Sequence, residues 1–456
     1  MDLTGGNGSM GKLPKLGAIA ILAWSGTLSA QTLMEAASYT IESSPDVAIV
    51  KNQYLSRIEQ IGISKAGYLP TVDLALGWGG EWTNSPSTRA STGSSDYVDL
   101  ERGEASLTAS QMLYDGLRTR NDMSRTRAEA EAQRFQLWTA AENTTLEVAD
   151  AYMSVINAKE AAVLAADNLE AHIEILNGIR KRSEHGLGSA SDLSQVKGRL
   201  SRAHTNYLAT DNNVLDAQAR FYKVVGREAL GLIKPQPVDQ NMPVSYELAL
   251  ERAGKVHPTL LSSQLDIDAA VAQLKIQDSN FRPDIRLELG GTWNNNLDGS
   301  VGYNNDLTAM IRMRYNLFNG KSDSYRKKDA YYKLMEASAI RDRAQRQVAE
   351  GMSLSWNAYQ LLERQMEFLE AHVIESEKTL DAYEQQFKLG RRTLVDLLDA
   401  ENELFEARRE LLTADKDRIM TQFRVLNAMG DLLSVLNIDR EAVLNDEERQ
   451  EISHLN

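Results

Sequence analysis

The chain repeats itself. Gly186, Ser189 and Asp192 recur as Gly390, Thr393 and Asp396, and Tyr114-Asp115-Gly116 recurs as Phe318-Asn319-Gly320, all 204 residues apart. A tandem duplication with a unit of roughly 200 residues folds as two copies of one plan, so an element found in one half is expected in the other.

Each unit holds one stretch far longer than a globular helix. Leu117 to Glu184 has no proline and Gly178 as its one glycine; Ser322 to Leu389 has no proline and Gly351 alone. At 1.5 Å per residue each spans ~100 Å, which demands coiled-coil packing. Val148, Tyr152, Val155, Ala162, Leu169, Ile173 and Leu176 form a heptad-like seam on the first. Returning helices, about Ser191 to Val225 and Thr393 to Met429, are half as long and can pair only with the lower half. Shorter helices before them, Asp46 to Ala66 and Thr259 to Asn280, are expected to cover the upper half.

The turn between the second long helix and its return is the most informative stretch. Gly390 can take φ > 0 and reverse the chain, Thr393 suits an N-cap, and Asp396 stands at its N3 position for a capping box. Asp396 and Asp399 are three apart and share a helical face near the tip. The bland reading is that Asp396 and Asp192 are only caps, and that arginines near helix C-termini offset the dipole.

Ahead of each long helix the period changes to two. Val72, Leu74, Leu76, Trp78 and Trp82 alternate with Asp73, Gly77 and Glu81, and Ala105, Leu107 and Ala109 alternate with Glu104, Ser106 and Thr108. In the second unit Ile285, Leu287, Leu289 and Trp293 alternate with Arg286, Glu288 and Thr292, and Leu307, Ala309, Ile311 and Met313 alternate with Thr308, Arg312 and Arg314. Large apolar residues on one face with arginines on the other suit a wall between lipid and water, the pattern of transmembrane β-strands. Asn84 to Arg102 and Asn294 to Asn305 read as polar loops.

These signals divide the chain. Residues 1–30, with Lys12 and Lys15 before an apolar run ending at Ala30, read as a signal peptide. Residues 31–233 are the first repeat, with a β-hairpin at about 71–114 and a helical hairpin at about 117–226. A proline-containing linker, 234–244, leads to the second repeat at 245–440, with a β-hairpin at about 284–317 and a helical hairpin at about 321–430. Residues 441–456 read as a polar tail, of which Asp446 to Asn456 is expected to fray. The fold class is mostly α with a small β part. Four strands cannot close, and open edges are not tolerated in lipid, so several copies must share one barrel. Three copies would give twelve strands.

A formal charge of −14 argues against a nucleic-acid partner. With no cysteine there is no disulfide, thiolate chemistry or lipid-anchored N-terminal Cys. The six histidines lack metal-binding spacing, no hydrolase motif occurs, and neither enzyme activity nor a cofactor is expected.

The run Phe387, Gly390, Thr393, Asp396, Leu397, Leu398 and Ala400, with the order of elements around it, resembles the TolC family of outer-membrane efflux and secretion channels. The resemblance implies a homotrimer, a twelve-stranded barrel on a helical tunnel crossing the periplasm of a Gram-negative bacterium. Its implied partners are a periplasmic membrane-fusion adaptor, an inner-membrane transporter of ABC type, outer-membrane lipid and an exported protein. It also implies that Asp396 and Asp399 form acidic rings at the periplasmic aperture, and that Arg392, Asp192, Ser191 and Phe387 belong to a latch between neighbouring coils. Gly186, Gly390 and Thr393 shape the tip turns. Phe387 lacks the hydroxyl of the tyrosine usual there. The run from Arg391 to Leu404 is similar to type I secretion components. A duct for small-molecule efflux and a soluble periplasmic coiled-coil adaptor are the alternatives.

Overall fold

The computed structural model describes residues 31–185, 189–441, 443–444 and 446–455; the proposed signal peptide and Gly186 lie outside the described residues. The order is α1 (Leu33–Ser43), α2 (Pro45–Ala66), β1 (Thr71–Thr83), α3 (Pro86–Thr92), β2 (Val98–Tyr114), α4 (Arg118–Glu184) and α5 (Ala190–Val225). It continues with α6 (Tyr246–Val256), α7 (Pro258–Asp278), β3 (Asp284–Asn295), β4 (Tyr303–Arg314), α8 (Ser322–Lys388) and α9 (Leu394–Met429), then α10 (Leu432–Val435) and α11 (Asp446–Leu455). Proline occupies the first position of α2 and α7, where its missing N–H costs nothing.

The four strands form one antiparallel sheet in the order β1-β2-β3-β4, so the two repeats join through β2 and β3. Leu74, Leu107, Gly291 and Leu307 stand in one cross-strand row. The apolar side of this sheet is bare: Trp78 is 80% exposed and Leu307 83%. The opposite side carries polar residues and ion pairs such as Arg312 to Glu288 at 2.7 Å.

Each strand-to-helix corner is made the same way in both halves. Gly116 and Leu117 take φ of 72° and 72°, and Gly320 and Lys321 take 69° and 67°. A Cβ on Gly116 would lie 2.9 Å from Arg282 Cβ and 3.0 Å from the Ser279 carbonyl, so both the φ and the space require glycine. Away from the sheet α5 lies against α4 and α9 against α8, and α4 adjoins α9. Nearer the sheet α2 and α7 take their places, both against α4, with α7 also on α8. The main core, between these levels, gathers Tyr54, Tyr152, Phe221, Phe423, Leu426 and Leu433.

Four details differ from the sequence reading. The polar stretch after β1 contains α3, closed by a Ser85–Thr88 capping box, and β2 begins at Val98, inside the expected loop, because it pairs with β1 as far as Thr83. Tyr303 and Asn305, also placed in a loop, belong to β4. The seam of α4 holds at Val148, Tyr152 and Val155, then runs through Ala165, Asn168, His172, Leu176 and Ile179, leaving Ile173 exposed. A straight helix of 3.6 residues per turn drifts from a strict heptad, and over this length the drift changes which residues face the partner. Within the polar tail Val443 and Leu444 join the core, and Asp446–Leu455 forms the helix α11, which lies on α2.

Candidate functional site

The tip of the second helical hairpin is built by its own sequence. α8 ends at Lys388. Gly390 takes φ 72°, and the Arg391 N–H reaches the Gln386 carbonyl at 2.8 Å, satisfying an orphan carbonyl of the last turn. Thr393 then caps α9: Asp396 N–H donates to Thr393 Oγ1 at 3.3 Å, and Asp396 Oδ2 accepts from the Thr393 N–H at 3.1 Å and hydroxyl at 2.8 Å. The Thr393 hydroxyl, then its N–H, and then the Arg392 charge hold the Asp396 carboxyl below the usual carboxylate range.

Asp399, one turn on, is paired. Arg199 Nη2 of α5 donates to Asp399 Oδ1 at 2.6 Å. Within one chain Arg392 stays on its own hairpin: Nε donates to Gln386 Oε1 at 3.1 Å, the guanidinium lies 4.2 Å from the Tyr383 ring centroid, and Nη1 is 3.9 Å from Asp396. It does not meet Asp192. On the first-repeat turn Ser189 caps α5, accepting from the Ser191 N–H at 3.1 Å, and the Ser189 and Ser191 hydroxyls lie 2.5 Å apart. Asp192 sits in the first turn of α5 and forms no ion pair among the described residues.

Phe387 is engaged elsewhere. Its ring lies under the Arg182 guanidinium, 4.8 Å from the centroid, and packs on a small core of Leu176, Ile179, Val196, Leu394 and Leu398. This core and the Arg199–Asp399 bridge join the two helical hairpins near their tips. Neither Arg182 nor Arg199 was a sequence candidate, because no spacing links them to their partners. Among the described residues no cluster of His, Asp or Glu could hold a metal ion, and no helix is long and apolar enough to cross a membrane.

The family model for outer membrane efflux proteins matches residues 37–227 and 249–431, one match in each repeat. The chain belongs to that family, and is an outer-membrane efflux or secretion channel of the TolC type rather than an enzyme. It is 26% identical to outer membrane efflux protein BepC of Brucella suis, over 82% of this chain and 79% of that one. It is 24% identical to outer membrane protein TolC of Escherichia coli, over 92% and 86%. It is 20% identical to the alkaline protease secretion protein AprF of Pseudomonas aeruginosa, over 86% and 83%. The fold matches the Campylobacter jejuni CmeC outer membrane channel with a TM-score of 0.76 at 15% identity, covering 93% of this chain and 90% of that one.

Proposed function

We propose that three copies of this chain close into a twelve-stranded barrel continuous with a helical tunnel, and that the assembly is the exit duct of a type I secretion system. One observation carries the assembly: every layer of the chain ends on unlike flanks. β1, α2 and α5 lie along one flank, and β4 and α8 along the other. Both carry exposed apolar residues at heptad spacing that no described residue covers, Leu208, Leu215 and Tyr222 on α5 and Leu354, Leu361 and Phe368 on α8. Flanks that differ in this way join head to tail, and such contacts either close into a ring or run on as a filament. Open strand edges in lipid require the ring. The bare apolar sheet face then meets the membrane, which also disfavours a soluble adaptor.

In this assembly Asp396 and Asp399 crowd carboxylates at the periplasmic aperture. Arg392 of one copy, released from Tyr383, latches to Asp192 and Ser191 on the first-repeat turn of the next. A periplasmic adaptor opens the latch and an ABC-type inner-membrane transporter supplies the energy. AprF is named for protease secretion, and the tip run from Arg391 to Leu404 resembles type I secretion components; both support a large protein as cargo. The name of BepC favours the second reading, a duct for small-molecule efflux.

Cells lacking the protein separate the two. Loss of one large secreted or surface protein with normal dye efflux supports secretion; dye retention with an unchanged secretome overturns it. Leu361→Asp tests the assembly: in detergent the variant should sediment as a single chain where the wild type sediments as three.

A further inference from the structure

At the base of the sheet, where the strands pass into the two long helices, the chain frames a half-open cavity of about 570 Å³. Five arginines line it: Arg118 from α4, Arg282 from the turn before β3, Arg286, Arg314 from β4, and Arg326 from α8. Three aspartates face them, Asp115, Asp284 and Asp323. In a chain of charge −14 this is a local excess of positive charge.

The carboxylates are committed, while three of the five guanidiniums keep donors free of a close carboxylate. Asp115 Oδ2 accepts from the Thr119 N–H at 2.7 Å and hydroxyl at 2.6 Å, capping α4. Asp284 holds Arg286 at 2.8 Å, and Asp323 bonds Asn319 and lies 3.6 Å from Arg326. Arg118 and Arg282 donate hydrogen bonds only to neutral oxygens among the described residues, the Asn280 amide at 2.5 Å and the Gly116 carbonyl at 3.3 Å, and Arg118 lies within the field of Asp122. Arg314 stands 3.9 Å from Glu288, which Arg312 already holds at 2.7 Å. The first turns of α4 and α8 border the same space, and each already holds a carboxylate, Asp115 against α4 and Asp323 within α8, so the free positive charge is that of the arginines.

We propose that this cavity is an anion-binding site for a multivalent oxyanion of the phosphate class. Guanidinium forks with unspent donors match tetrahedral oxyanions bidentately, which a lone carboxylate at this spacing does not satisfy. Arg286 and Arg314 project from the polar side of the sheet, so the site opens into the lumen; this placement rests on the channel reading above. A duct whose tip gathers carboxylates thus carries a cationic collar at its other junction. Anions passing outward meet it after the aperture.

The test uses the full protein. In lipid-free detergent, inorganic pyrophosphate at millimolar concentration should raise the unfolding temperature above that in sodium chloride of equal ionic strength. Arg118→Gln with Arg282→Gln should weaken that binding by about tenfold or more, the loss of charge-assisted bonds. Loss of equal charge at Lys255 and Lys378 should leave it unchanged. Arg314→Gln, on an exposed side chain, serves should the double variant fail to fold. In planar bilayers pyrophosphate should reduce the current of the wild type and not of the variants. Channels that conduct but show neither stabilisation nor block overturn the site. A protein that binds pyrophosphate but never conducts overturns the channel reading and leaves the site standing. Stabilisation by phosphatidylglycerol micelles and not by pyrophosphate would mark a lipid headgroup as the ligand and overturn the lumenal assignment.

Discussion

Arg199 and Asp399 meet at 2.6 Å across the two repeats, tying the return helix of one hairpin to that of the other close to the tip. Asp399 is more than half exposed, so the bridge contributes ~1 kcal/mol or less. Such a tie suits a closure that a partner must undo. Arg199→Gln and Asp399→Asn should each raise single-channel conductance in planar bilayers, and the double variant should match the larger single effect rather than their sum. Conductance unchanged in Arg199→Gln would remove this bridge from the closure.

Asp396 and Asp399, placed at the aperture in the proposed assembly, predict cation preference. Replacement of both Asp396 and Asp399 by Ala should bring the reversal potential in a salt gradient close to that of a non-selective pore. Because Thr393 donates two hydrogen bonds to Asp396, its carboxyl stays ionised as pH falls through the ordinary carboxylate range. Cation preference carried by Asp396 should therefore persist, and fade only at lower pH than an uncapped aspartate would allow. Thr393→Val should move the fade to higher pH, and loss of the cap should cost about 1 kcal/mol. A wild-type preference that fades at the pH of an ordinary aspartate would show that the cap does not govern the charge.

Arg392 is held between two uses. Stacked on Tyr383 and bonded to Gln386, it stays on its own hairpin rather than in the proposed latch. Tyr383→Leu should release it to the latch and lower conductance, whereas Arg392→Ser should raise it. Equal conductance in both variants would place Arg392 outside the gate.

Far from the tip, Glu142 is buried in the main core beside α10, accepting from the Leu433 N–H at 3.3 Å and lying 3.4 Å from Arg440. Burial pushes its carboxyl up to about 7; the Arg440 charge opposes this and the Asp431 charge adds to it. The folded chain therefore binds this proton more tightly than the unfolded chain, whose carboxyl titrates near 4.5. Stability is lost as pH rises between about 4.5 and 7, by up to roughly 3 kcal/mol per chain. Thermal unfolding followed from about pH 5 to pH 8 should show this slope in the wild type and a flatter one in Glu142→Gln. Identical slopes would mean that Glu142 keeps its charge in the fold.

What could be read without the structure was local. The Thr393–Asp396 box lies within one helical turn, the strands alternate over ten residues, and the long helices announce themselves by missing prolines. The missed features join distant segments. Arg199 and Asp399 are 200 residues apart, and Arg182 stacks on Phe387 across two hairpins, contacts that no spacing encodes. Likewise the pairing of β2 with β3, which fuses the two units into one sheet, follows from packing rather than from either strand alone. The Ser85–Thr88 cap of α3 was present in the sequence, but the surrounding serines and glycines carried the stronger loop signal.

The unlike flanks also bear on inheritance. In the proposed ring, a chain spoiled along α8 would still dock by α5, so it would enter growing assemblies and stop them. If the ring holds three chains, as proposed, equal expression of both forms would leave roughly one ring in eight wholly sound. Alleles altered at Leu361 or Phe368 should therefore suppress the normal copy in the same cell. Lesions at Tyr152 or Phe423, which deny the chain its core, withdraw it from assembly and leave the normal copy untouched.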